Sequence, residues 1–127
     1  MKKLLLLPLI AISIVATAQT TAIPDANFEQ ALITLGYDNV IDGGVLTANI
    51  NGETALSIIQ KGILDLTGIE DFSSLTVLDC SHNELTALDV SQNNLLTSLR
   101  CSSNELSTLD LTLNTDLEIL NCSSNGI

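Results

Sequence analysis

Three segments of the chain are versions of one another: LTVLDCSHNEL at 75–85, LTSLRCSSNEL at 96–106 and LEILNCSSNGI at 117–127, starting 21 residues apart. Each fits L-x-x-L-x-C-x-x-N-x-L, with Ile127 in the last place. The stretch between them recurs as well, TALDVSQN at 86–93 matching STLDLTLN at 107–114. A period of this length with no gaps restricts the chain to a stacked array, in which each unit buries an apolar face only against its neighbours. The 127 residues otherwise leave room for one modest domain.

The unit resembles the leucine-rich repeat, with Cys80, Cys101 and Cys122 in place of the third leucine. The L-x-C step reads as a short strand, so Leu78 and Cys80 point to one side, inward, as do Leu99 with Cys101 and Leu120 with Cys122. Leu75, Leu85, Leu88 and Val90 complete one inward layer; Leu96, Leu106, Leu109 and Leu111 complete the next. Asn83, Asn104 and Asn125 close the strands, where the side chain is expected to satisfy backbone groups buried by the bend. Asn93 and Asn114 suggest a second ladder on the return side. A divergent first coil precedes these: with one extra residue, Leu56 and Ile58 match Leu78 and Cys80, and Lys61 takes the asparagine place. The expected fold is an α/β-type leucine-rich repeat solenoid, right-handed, with a parallel β-sheet on the concave side, an N-terminal helical cap and a mostly loop convex side. The coils are 53–74, 75–95, 96–116 and an incomplete 117–127.

At the N-terminus, Met1-Lys2-Lys3, an apolar run over 4–15 and the A-x-A triplet Ala16-Thr17-Ala18 read as a secretory signal peptide, residues 1–18, cut before Gln19. The run is short of the roughly 20 apolar residues of a membrane span, and nothing later is apolar for long enough, so no membrane insertion is expected after cleavage. Removing 1–18 leaves Lys61 and Arg100 against 15 acids, a formal charge of −13. A charge of that sign speaks against nucleic-acid binding, and the lack of Trp leaves little for base stacking. The expected location is secreted or cell-surface.

Residues 19–52 read as cap and link. In PDANFEQALITLG (24–36), Phe28, Ala31, Leu32 and Leu35 share one helical face, Asp25 is the expected N-cap and Gly36 the stop. Turn signals at Asp42-Gly43-Gly44 and Asn51-Gly52 flank VLTANI, read as a short strand or an extended link. The segment GILDLTGIEDFSSLTVLDCSHNEL (62–85) resembles the start of the repeats in the bacterial internalin group. The cysteine-bearing unit with its IPDANFEQAL-type cap is also similar to repeat proteins secreted by Gram-negative bacteria through type IX secretion, although the sequence lacks the C-terminal sorting domain of such cargo. These resemblances imply an extracellular or cell-surface binding protein, often an adhesin, and no chemistry. Ile127 falls halfway through a repeat, which points to a fragment of a longer protein.

No constellation reads as catalytic. The cysteines sit at equivalent inward positions and read as a buried column of free thiols, an inter-coil disulfide being conceivable by distance. Zinc would need four ligands. His82 with Ser81 and Asp79 lacks the setting of a triad, and repeat position accounts for the serines. Asp89 stacks on Asp110 and Glu84 on Glu105, which invites calcium, but no calcium-loop pattern is present. No metal or cofactor is expected. The candidate binding strip is the outward side of the strands: Val77, Asp79 and Ser81, then Ser98, Arg100 and Ser102, then Ile119, Asn121 and Ser123, with Ala55, Ser57 and Ile59 on the first coil. The function read from this is non-catalytic binding of a protein or cell-surface ligand. The alternative is a structural cap or spacer of a larger secreted surface protein, or of a multidomain enzyme whose catalytic part lies elsewhere.

Overall fold

The computed structural model describes residues 1–14 and 16–127; Val15, within the expected leader, lies outside the described residues. Residues 1–14 and 16–18 have no regular secondary structure and are exposed. Regular structure begins at β1 (Thr20–Ala22), followed by α1 (Ala26–Leu35) and β2 (Gly44–Leu46). Four strands come next: β3 (Ala55–Ser57), β4 (Val77–Asp79), β5 (Ser98–Arg100) and β6 (Ile119–Asn121). They form one parallel sheet in chain order, with Leu56, Leu78, Leu99 and Leu120 in register. The register follows from the leucine at the centre of each strand: Leu56, Leu78 and Leu99 are buried and a slip of one residue would turn them out of the core, while Leu120 on β6, expected inward, is 45% exposed.

The ladder runs past the strand ends: Ile58 N–H donates to Asp79 O, Cys80 N–H to Arg100 O and Cys101 N–H to Asn121 O. It then bends where Gln60, His82, Ser103 and Ser124 adopt left-handed backbone, with φ between 54° and 57°. Left-handed backbone costs a non-glycine residue about 1–2 kcal/mol, so something must hold the bend. The next residue does so in three of the four coils. Asn83 Oδ1 accepts from Lys61 N–H (2.9 Å) and Ile63 N–H (3.2 Å), while its Nδ2 donates to Ile58 O (2.8 Å) and Cys80 O (2.9 Å). Asn104 Oδ1 accepts from Leu85 N–H and its Nδ2 donates to Cys80 O and Cys101 O. Asn125 repeats the pattern with Leu106 N–H, Cys101 O and Cys122 O, but is only partly buried. On the return side, Asn93 Nδ2 donates to Ile69 O and Asn114 Nδ2 to Val90 O and Asn93 O.

One apolar core runs through all of this, from Phe28 and Leu32 on α1 to Leu99, Cys101 and Leu106. Leu109, Leu111 and Leu117 are only partly buried against it. Between the parallel strands the chain makes turns and one 3-10 turn, Ile69–Asp71, with no α-helix among the described residues.

The N-terminal unit is joined to the first coil by polar side chains. Asp25 Oδ1 caps α1 by accepting from Asn27 and Phe28 N–H, and its Oδ2 accepts from Leu64 and Asp65 N–H on the first coil. Gly36 ends α1 in the left-handed conformation, φ 87°. Glu29, buried, takes the amides of Asp42, Gly43 and Gly44 on one carboxylate at 2.9–3.0 Å. β1, which sequence reading left unassigned, pairs antiparallel with β2. Its Thr21 hydroxyl donates to Asp71 Oδ2 (2.6 Å) and also contacts Thr47 Oγ1. Ile23 and Ala22 lie directly over Gly68, whose φ of 105° and crowded Cα leave no place for a Cβ.

Candidate functional site

Every residue on the outward side of the sheet belongs to one of three rows set by strand register. Ala55, Val77, Ser98 and Ile119 form the first, and Ser57, Asp79, Arg100 and Asn121 the second. Just beyond the strands, Ile59, Ser81, Ser102 and Ser123 form the third, aligned by Gln60 N–H to Ser81 O, His82 N–H to Ser102 O and Ser103 N–H to Ser123 O. At the two ends of the sheet even short side chains reach solvent, Ala55 and Ser57 on β3 and Ser123 beyond β6. Val77 is 40% and Ile119 51% exposed. Ser98, between them on the middle strand, is buried. With strands about 4.8 Å apart, a serine flanked by branched side chains sits below their surface. Ser81 and Ser102 are buried for a related reason, short side chains crowded at the bend.

The strip read from sequence is thereby corrected. Ser81, Ser98 and Ser102 lie on the expected face but do not offer themselves to a partner. The accessible set is Ala55, Ser57, Ile59, Val77, Arg100, Ile119, Asn121 and Ser123, with Asp79 mostly covered. Its one cation is Arg100, whose side chain is 55% exposed and whose Nη1 stands 4.0 Å from Asp79 Oδ2. Asp79 Oδ1 accepts from Ser81 N–H, and Asn121 Oδ1 accepts from Ser123 N–H and its hydroxyl. The polar row is therefore preorganised by local bonds, with two exposed branched apolar groups, Val77 and Ile119, beside it. Such a surface can make a desolvated apolar contact and a charge-assisted hydrogen bond to a carboxylate.

The thiol column divides in two. Cys80 and Cys101 are buried and free. Burial pushes the Cys80 thiol strongly up, with smaller contributions from Cys101 and Asp79. Burial likewise pushes Cys101 up to about 11, with Cys122 and Asp79 adding to it. Neither is nucleophilic at neutral pH. Cys122, expected buried, is half-buried instead, because among the described residues β6 pairs with β5 alone.

His82 is exposed, on the left-handed bend, while Asp79 is occupied by Ser81 and Arg100, so the three do not assemble a triad. Among the described residues no group of three or more His, Cys, Asp or Glu could hold a metal ion. Asp89 and Asp110 are engaged in turns of their own. The Ser91 hydroxyl and N–H hold Asp89 below the usual carboxylate range, and the Thr112 N–H and hydroxyl do the same for Asp110. A shallow depression of about 660 Å³ lies at the N-terminal end, where Tyr37, Asp38, Asn39, Asp42 and Asn49 face β1 and β2, remote from the strip and without Ser, Cys or His. No described helix is long and apolar enough to cross a membrane.

No protein-family model matches the chain. Internalin J of Listeria monocytogenes serotype 4b (strain F2365) is 38% identical over 70 residues, which is 55% of this chain and 8% of Internalin J. Among solved structures, the functional domain of InlJ from Listeria monocytogenes, described as including a cysteine ladder, is similar at a TM-score of 0.75 and 35% identity. That similarity covers 88% of this chain and 26% of the InlJ chain. An internalin (inlF) from Listeria monocytogenes strain 4b F2365 shares the fold at a TM-score of 0.76 and 21% identity, over 82% of this chain and 31% of its own. The chain thus spans less than a third of either solved relative.

Proposed function

Taking the chain as an internalin-like, bacterial leucine-rich repeat solenoid, we propose that it is a non-catalytic extracellular module whose sheet face, the concave side, binds a protein or cell-surface partner. The observation that carries this reading is the accessible strip of Val77, Arg100 and Ile119, solvent-facing on a scaffold of buried leucines and asparagine bonds. Arg is a frequent hot-spot residue, and a single cation in so acidic a chain gives the strip a defined orientation. Residues 1–18 act as the leader that brings the chain outside; their exposed apolar side chains and the start of β1 two residues after Ala18 support this. Helix α1 caps the open end of the solenoid, and the return side is built of turns. The column Cys80, Cys101 and Cys122 serves as a small apolar filler of the cysteine-ladder kind named for the InlJ domain.

A second reading, a structural cap and spacer of a larger surface protein, draws on two observations. Three of the twelve strip residues named from sequence are buried, and the similarity takes in only 26% and 31% of the two matched solved chains. The two readings part on Arg100→Ala. Binding of the labelled, secreted chain to cell surfaces is measured for wild type and variant, with circular dichroism as the control for folding. Loss of an Arg hot spot of about 2 kcal/mol lowers affinity roughly 30-fold, which recognition through the strip requires. Unchanged binding with the fold intact assigns the chain to the spacer role.

A further inference from the structure

We propose that Gln19 is a modification site: once the leader is removed, it closes to a pyroglutamyl ring that seals the N-terminus. The inference rests on the reading of residues 1–18 as a leader. Cleavage after Ala18 leaves glutamine first, the one residue whose side-chain amide lies within a five-membered ring of its own α-amine. The neutral amine attacks the side-chain Cδ, a C–N bond forms, the bond from Cδ to the amide nitrogen breaks, and that nitrogen leaves as ammonia with a proton from the amine. No oxidant, reductant or second substrate enters.

The fold permits this step and gives it a purpose. Gln19 is exposed, and its main-chain carbonyl, which the reaction does not touch, accepts from Thr47 N–H at 3.0 Å. Ring closure therefore leaves the pairing of Thr20 with Leu46 intact. Only two residues separate the new terminus from structure the solenoid needs. Thr21 is buried and bonded to Asp71 and Thr47, and Ile23 covers Gly68. An exopeptidase starting from a free amine reaches Thr21 at its third cut. The lactam has no α-ammonium for such an enzyme to hold, so the ring protects the short strand that fastens the N-terminal unit to the first coil.

The test is the mass of the N-terminal tryptic peptide from protein freshly collected from the bacterium that makes it. The first basic residue after Ala18 is Lys61, so the peptide is 19–61. Its mass lower by one ammonia, with the loss placed on residue 19 by fragmentation, supports the inference. Peptide 19–61 with an unmodified glutamine overturns it while leaving the leader reading standing. A peptide beginning at any other residue overturns the leader reading and the inference with it. As a second arm, Gln19→Ala keeps a free amine and is expected to be trimmed by an added aminopeptidase while the wild type is not; equal trimming of both overturns the protective role.

Discussion

Replacing Asn83 with alanine removes the side chain that ties the first two full bends together. Five backbone groups lose a partner: the N–H of Lys61 and Ile63 and the carbonyls of Ile58, Cys80 and Ser81, the last of which keeps the Gln60 N–H. They are not equivalent. Cys80 O keeps the Asn104 amide at 3.1 Å, and Lys61 lies at the exposed end of its bend, within reach of water. Ile63 N–H and Ile58 O belong to fully buried residues and are left unsatisfied. At about 1–3 kcal/mol for each orphaned buried group, the expected cost is about 2–6 kcal/mol. That is a large share of the roughly 5–15 kcal/mol that holds a domain folded. Asn125 makes the same kinds of bond but is half-exposed, so water replaces what Asn125→Ala removes and the cost falls to about 1 kcal/mol. Urea unfolding followed by far-ultraviolet circular dichroism gives both differences from the shift in midpoint. Equal costs for the two variants, or less than about 1 kcal/mol for Asn83→Ala, would refute the reasoning that burial of the bend makes the asparagine necessary.

Gly68→Ala should destabilise the chain and release β1, since a Cβ there collides with the Ile23 side chain and lies 2.7 Å from Ala22 O; hydrogen exchange at Thr21 and Val45 reads the release. Asp25 bears on acid stability: burial alone would raise its pKa, but the N–H groups of Leu64, Phe28, Asp65 and Asn27 outweigh it and hold the carboxyl below its ordinary 3.8. A depressed folded pKa gives stability that is whole above the unfolded value and is lost as pH falls through the folded one. Wild type should therefore weaken below pH 3.8, and Asp25→Asn should lose that part of the pH dependence in unfolding curves. In the folded 127-residue chain near pH 8, an alkylating reagent should label half-buried Cys122 first, with Cys80 and Cys101 reacting only on unfolding; peptide mapping that finds Cys101 labelled as fast as Cys122 contradicts the burial argument.

The repeat carries its own register, and that part of the fold is legible residue by residue. The leucines that recur every 21 residues lie opposite one another in the sheet, and the one-residue offset of the first coil puts Leu56 against Leu78. Asp25 and Gly36 bound α1 as their side-chain and backbone chemistry requires. What escapes sequence reading depends on neighbours distant along the chain. β1 is three residues with no apolar alternation, held by Val45, Thr47, Asp71 and Gly68 from later segments. Glu29 reads as a polar residue of a short helix; its burial follows from the three amides that the Asp42-Gly43-Gly44 turn aims at it. That turn was visible, and its unpaired amides were the signal for a buried acceptor. The candidate strip shows the same limit. Period-2 alternation says which face a serine is on, whereas the flanking side chains in register, Val77 and Ile119 around Ser98, decide whether it reaches solvent. Cys122 escapes the column's burial because, among the described residues, only one strand neighbours β6.

The central claim is that the sheet face is the working face. A photo-crosslinking residue placed singly at Ile59, Val77 or Ile119, and for comparison at Thr86 or Gln92 on the return side, tests it directly when each variant is applied to cell surfaces and irradiated. The account predicts covalent adducts of one defined mass from the three sheet positions and none from the other two. Adducts from Thr86 or Gln92 with none from the sheet face would contradict it.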